Sequence, residues 1–156
     1  MYQHILLPTD GSELSERAAR DGVRLAKSLG ARLTALHTTP RFYPSELEAY
    51  AAPVDAVHGY AARAREHEEL GKANAARALE PIEKMAREAG VAYGADHRVG
   101  DSPWQLIIQA AAERSCDLIF MASHGRRGVS ALLIGSETNK VLTHTKIPVL
   151  VWRSTS

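Results

Sequence analysis

Residues 121–138 read Met-Ala-Ser-His-Gly-Arg-Arg-Gly-Val-Ser-Ala-Leu-Leu-Ile-Gly-Ser-Glu-Thr. Glycines and small residues there separate an apolar run, residues 117–121, from a helical pattern that begins at Ser136. Where bulky side chains are missing, backbone N–H groups can approach an anion closely, and a helix N-terminus adds a favourable dipole. The segment is a candidate phosphate cradle, with Arg126 and Arg127 as counter-charge. A second group of interest is Pro8-Thr9-Asp10-Gly11-Ser12, directly after the first apolar run. Asp10 can accept from ribose hydroxyls or from a base amine, so the two segments together suit a nucleotide.

Ser123 and His124 invite a nucleophile–base reading beside Asp10. Adjacent residues on an extended strand point to opposite faces, which predicts that these two do not pair. His124 then reads as a loop histidine near phosphate, or as a hydrogen bonder behind it. The other six histidines show no His-x-x-x-His spacing, so no metal site is expected. Plainer roles stand beside these: Asp10 as a cap of the first helix, Gly135-Ser136 as a helix start, and both arginines as solvated loop charges.

Alternating strand and helix patterns must position these residues. Strands are expected at 3–7, 31–38, 91–99, 117–122 and 148–152. A first helix is capped by Ser12, buries Ala18, Gly22, Leu25, Ala26 and Leu29, and stops at Gly30. A long helix spans roughly 58–89, and Pro81 inside it predicts a kink or a split. Ser102-Pro103-Trp104-Gln105 predicts a capping box with proline at the first helical position. Trp104, Ile107, Ile108, Ala111 and Ala112 form that helix's buried stripe. A last helix runs over about 136–145. Residues 39–57, with three prolines and three aromatics, form an irregular excursion.

This order implies a single-domain, doubly wound α/β fold over 1–156. It is Rossmann-like, a five-stranded parallel sheet with helices on both faces, for which we take the strand order 3-2-1-4-5. In that order strands one and four are neighbours at the switch point. Their carboxyl-end loops are the Asp10 turn and the 122–136 segment.

At 156 residues, 45% apolar and 24% charged, the composition is that of an ordinary globular protein. A formal net charge of +1 gives no field that would recruit nucleic acid or acidic membranes. No apolar run approaches the ~20 residues of a membrane helix. The one cysteine, Cys116, excludes an internal disulfide and reads as a small buried residue at a helix end. The N-terminus enters a strand at once and lacks a basic, then long apolar, leader; the cytoplasm is the expected location.

Leu7-Pro8-Thr9-Asp10-Gly11-Ser12, Met121-Ala122-Ser123-His124-Gly125, Gly135-Ser136 and Lys146-Ile147-Pro148-Val149-Leu150-Val151 resemble the universal stress proteins along essentially the whole chain. In the ATP-binding branch the loop reads glycine, two residues, glycine, nine residues, then glycine and serine or threonine. This chain matches at Gly125, Gly135 and Ser136 and has Ala122 at the first glycine. The resemblance implies a stress sensor or regulator that binds ATP, accompanied by Mg²⁺, with slow or no hydrolysis. Pro8, Thr9 and Asp10 would lie by the base and ribose, with Thr38 beside the base. Met121, Ala122, Gly125, Gly135, Ser136, Glu137 and Thr138 would line the phosphate side, with Ser123, His124 and Arg126 among the candidate binding residues. It also implies a homodimer through the last strand, Val149–Trp152. Two other readings stay open: an interaction protein of the same fold that holds no nucleotide, and an adenylyl-transfer enzyme using the 39–57 excursion as a substrate pocket.

Overall fold

The computed structural model describes residues 1–44, 56–124 and 134–154. Strands and helices alternate as β1 (His4–Pro8), α1 (Glu13–Leu29), β2 (Arg32–Thr39), α2 (Ala56–Ala89), β3 (Tyr93–Val99), α3 (Pro103–Glu113), β4 (Leu118–Ala122), α4 (Ser136–His144) and β5 (Val149–Trp152). The strands form one sheet in the order β3-β2-β1-β4-β5, and every pairing is parallel. The sequence-derived order and the structure agree. The 39–57 excursion falls mostly on residues 45–55, outside the described residues.

Alternation along the strands sends side chains to two cores. Ile5, Leu7, Leu33, Ala35 and Phe120 pack against α1 and α2 on one face, with Val23, Leu79 and Ile82. Leu6, Leu36, Ile119 and Met121 pack against α3 and α4 on the other, with Ile107, Ala110 and Val141. In α3 the buried residues are Ile107, Ala110 and Ala111, with Trp104 and Ile108 partly covered. The expected stripe therefore holds at Trp104, Ile107, Ile108 and Ala111 and differs at its end, where Ala110 is buried and Ala112 is exposed. Cys116 is buried at the end of α3, and burial pushes its thiol up to about 11, which leaves it unreactive.

The two ends of α1 follow the local rules. Ser12 Oγ accepts from Ser15 N at 3.2 Å, and Gly30 closes the helix at φ 64°. The capping box at Ser102 does not form. Its hydroxyl makes no cap bond, because φ −120° and ψ 83° lie away from the extended cap geometry. A tertiary contact supplies the missing acceptor: Trp104 N donates to Glu137 Oε2 at 3.0 Å.

Pro81 does not split α2, which is assigned as one helix of 34 residues. Proline in a helix interior costs about 3 kcal/mol. Ala75 and Leu79 before it and Ile82 and Ala86 after it are all buried on the same core. Covering Leu79 and Ile82 alone contributes about 1.5–3 kcal/mol each, enough to offset the proline. Helix α1 lies close enough to the sheet that a Cβ on Gly22 would stand 2.6 Å from Leu7 Cδ1 and 3.2 Å from Phe120 Cδ1.

At the amino ends of the strands His4 is buried. Its Nδ1 donates to the Arg114 carbonyl at 3.0 Å, so in the neutral ring Nε2 accepts from the Thr34 hydroxyl at 2.8 Å. Burial, followed by the nearby Arg32 cation, lowers its pKa below the ordinary 6.5. His97 on β3 is lowered as well, chiefly by burial.

Two outcomes follow from this packing. Gly22→Val should destabilise the fold by about 1–3 kcal/mol, read as a lower urea midpoint with an unchanged m-value. Unfolded histidines take up protons near 6.5, whereas folded His4 and His97 do so at lower pH. Stability is therefore full above that pH and falls as pH drops beneath it. The urea midpoint should be lower at pH 5.5 than at pH 7.5, and His4→Gln should shrink the difference; an unchanged difference would rule out His4 as a contributor.

Candidate functional site

A cavity of about 300 Å³ opens at the carboxyl ends of β1, β2 and β4. Ligands of open parallel sheets bind there, where the strand order reverses. β1 leads outward to β2 on one side and lies beside β4 on the other, so the reversal falls between β1 and β4. Pro8, Thr9 and Asp10 line the cavity from the end of β1, and Leu36 and Thr38 from β2. Met121, Ala122 and His124 line it from β4 and the residues just after it. Glu137 and Thr138 of α4, Ser15 of α1, and Pro103 and Ile107 of α3 complete the wall.

The turn after β1 is fixed from several directions. Thr9 N donates to the Leu36 carbonyl at 2.8 Å, extending the β1–β2 ladder by one bond. Thr9 Oγ1 lies 3.0 Å from Ser15 Oγ and accepts from Gly11 N at 3.1 Å. Gly11 takes φ 73°, a conformation that glycine reaches without steric cost. That lets Asp10 Oδ1 accept from Ser12 N at 3.0 Å, an Asx turn that hands the chain to the α1 cap. Asp10 thus both closes the turn and lines the cavity.

Across the cavity, Ala122 is the last residue of β4, and its carbonyl accepts from Thr138 Oγ1 at 3.1 Å. Among the described residues, Ser115 is the non-glycine residue with positive φ. Ala122 therefore sits in ordinary extended backbone, and the position does not require glycine's conformational range. Gly135 differs in kind. Its φ of −60° suits any residue, but an added Cβ would stand 3.1 Å from His124 Cα and 3.3 Å from the Ser123 carbonyl. Its N–H donates to that same carbonyl at 2.7 Å. A side chain at Gly135 would therefore crowd the His124 main chain, and the Gly135 N–H bond pins the start of α4 against the end of β4.

The expected separation of Ser123 and His124 does not hold. Ser123 Oγ lies 3.0 Å from His124 Nδ1. β4 ends at Ala122, so strict strand alternation no longer governs the two. Ser123 is 2% exposed and does not line the cavity, so a substrate atom has no approach to its hydroxyl. The pair orients the His124 ring, which does line the cavity.

Glu137 holds two partners. Oε2 accepts from Trp104 N at the start of α3, and Oε1 from Lys140 Nζ at 3.0 Å. Gly135 and the exposed Ser136 stand at the start of α4 and do not line the cavity. Gly125 and Arg126, with Arg127 and Gly128, lie outside the described residues.

Four lining residues escaped the sequence reading. Leu36 shares strand parity with Thr38, which was a usable signal. Ser15 sits one turn into α1, and the sequence pattern around Pro103 and Ile107 points to helix geometry and core. Among the described residues, no group of three His, Cys, Asp or Glu is placed to hold a metal ion. None of the described helices is long and apolar enough to cross a membrane.

A profile of the universal stress protein family matches residues 1–153. A universal stress protein of Methanocaldococcus jannaschii is 31% identical over 153 residues, covering 97% of this chain and 82% of the relative. One from Thermus aquaticus is 32% identical over 157 residues, covering 98% of this chain and all of the relative. In structure, a second Methanocaldococcus jannaschii protein superposes at TM-score 0.77 with 25% identity, covering 100% of this chain and 99% of its own. The universal stress protein UspA of Lactobacillus plantarum superposes at 0.73 with 23% identity, covering 97% and 98%, which shows the fold. The strand order, the switch-point crevice and these matches agree: the chain belongs to the universal stress protein family.

Proposed function

We propose that this chain binds an adenine nucleotide, ATP accompanied by Mg²⁺, in the crevice between the ends of β1 and β4, and that it acts as a sensor or regulator with slow or no hydrolysis. One observation carries the reading: the braced Asp10 turn faces the Ala122 end of β4 across a cavity of about 300 Å³. That volume is at the lower end for small-molecule sites and suits a nucleoside. Leu36, Ile107 and Met121 supply an apolar wall for a planar base, while Asp10 and Thr38 supply polar groups at its edge. The phosphates would run toward the start of α4, whose cap residue Gly135 makes no side-chain cap bond. First-turn amides of that kind favour anions.

Ala122 stands where the ATP-binding branch has its first glycine. In extended backbone its methyl group adds volume without strain. Mg²⁺ commonly arrives on phosphate oxygens and keeps much of its water, so a dedicated carboxylate cage is not needed. The same fold holds adenine nucleotides elsewhere. One universal stress protein with it is described in complex with cAMP, and one from Archaeoglobus fulgidus in complex with dAMP. The proposal takes residues 1–156 as one such domain. It includes a homodimer through Val149–Trp152, an edge strand whose Leu150 is exposed.

Purified protein, denatured and run on anion exchange, should release adenine nucleotide, and ATP with Mg²⁺ should raise its melting temperature. No release and no shift would reject the proposal. Asp10→Ala should weaken ATP binding about tenfold, the loss of a hydrogen bond to a charged acceptor. Ala122→Gly should stay within about threefold of the parent, since no backbone strain is relieved. Gly135→Val should abolish binding by pushing His124 away from the start of α4; titration calorimetry showing parent-like affinity would mean the phosphates do not run there.

A further inference from the structure

The Thr9 carbonyl belongs to the peptide that leads into Asp10, and a side chain from the far face of the sheet holds it. His37 Nδ1 lies 2.9 Å from that oxygen, and His37 is buried. A carbonyl cannot donate, so Nδ1 must carry the proton. His37 shares strand parity with Ala35, which packs into the α1–α2 core, whereas Leu36 and Thr38 line the cavity. The imidazole therefore acts on the site from behind and is absent from the cavity wall.

Its own setting is built. His97, the register partner of His37 on β3, places its ring centroid 6.3 Å away at 34°. His97 Nε2 lies 3.0 Å from Thr39 Oγ1, and Gly71 of α2 approaches Thr39 closely enough that a Cβ there would touch the same hydroxyl oxygen at 3.4 Å. His37 thus stands between the turn it holds and a second ring that is itself hydrogen-bonded.

We propose that His37 is a positioning residue for ribose recognition: its Nδ1–H bond to the Thr9 carbonyl sets the peptide plane from which the Asp10 carboxylate reaches the sugar hydroxyls. This role rests on the nucleotide reading above and adds the residue that tunes its ribose end. Thr9 is itself buried, so its carbonyl has little water to turn to when the imidazole is lost. Rotation of the Thr9–Asp10 peptide is the available relief, and it carries Asp10 with it. Ribose discrimination should therefore be lost before binding as a whole.

The test compares ATP with 2′,3′-dideoxy-ATP, each with Mg²⁺, on wild-type protein, His37→Leu and His37→Asn, with melting temperatures recorded alongside. Asparagine's amide nitrogen falls near the place of Nδ1 and keeps a donor; leucine fills similar space without one. Wild-type protein should prefer ATP at least about tenfold, the loss of a hydroxyl's hydrogen bond to a charged acceptor. His37→Leu should bring that ratio close to one, and His37→Asn should restore most of it. A folded His37→Leu variant that keeps the wild-type ratio overturns the role of His37 alone. Wild-type protein that binds both nucleotides equally overturns the ribose role of Asp10, and that of His37 with it. Wild-type protein that binds neither overturns the nucleotide reading itself.

Discussion

The parallel pairing of β1 with β4 is the constraint on which the rest depends. Ile5 stands opposite Leu118 and Leu6 opposite Ile119, and all four side chains are buried, two on each face. Burying a side chain of this size contributes about 1.5–3 kcal/mol. A slip of one residue would exchange the two faces and expel each side chain from its core. It would also shift the carboxyl ends by about 3.3 Å, one strand residue. The register that builds the core therefore also sets how Asp10 stands to Ala122.

From that pairing outward, the site is assembled from groups that hold one another. Thr9 is tied through its N–H, its hydroxyl and its carbonyl to β2, α1 and His37. The start of α4 is tied to the end of β4 by Gly135 and Thr138. Glu137 then reaches the first turn of α3, joining two helices that are distant in sequence. The side-chain bonds at Thr9 are buried, where a lost partner costs more than an exposed one would. Such a frame pre-orients a crevice before any ligand arrives, which lowers the ordering cost of binding.

Ala122 and Gly135 show why one-letter departures from a motif need three dimensions. Both stand at glycine positions of the family loop. At Ala122 the backbone is extended, so glycine would add freedom the position does not use. At Gly135 the backbone is equally ordinary, but a neighbouring main chain stands tight against the place a Cβ would take. Conformation and room are separate reasons for glycine, and neighbours decide which applies.

Hydrophobic period, turn chemistry and helix stops were sufficient to read the nine elements of the described residues, because each rests on residues adjacent in the chain, and their alternation implied the parallel sheet. Asp10 and residues 121–138 stood out for the same reason: small and polar residues interrupt apolar runs where strands end. What needed the tertiary structure was every contact made across the sheet. Ser102 carries a capping signature, yet the acceptor at α3 is Glu137, 33 residues away. Pro81 carries a breaking signature, yet burial on both sides keeps α2 whole. His37 carries no signature at all; its hold on the Thr9 carbonyl spans 28 residues and exists because β1 and β2 lie side by side. Local sequence determines which conformations are cheap, and long-range packing decides which polar groups meet, since that depends on where separate elements come to rest.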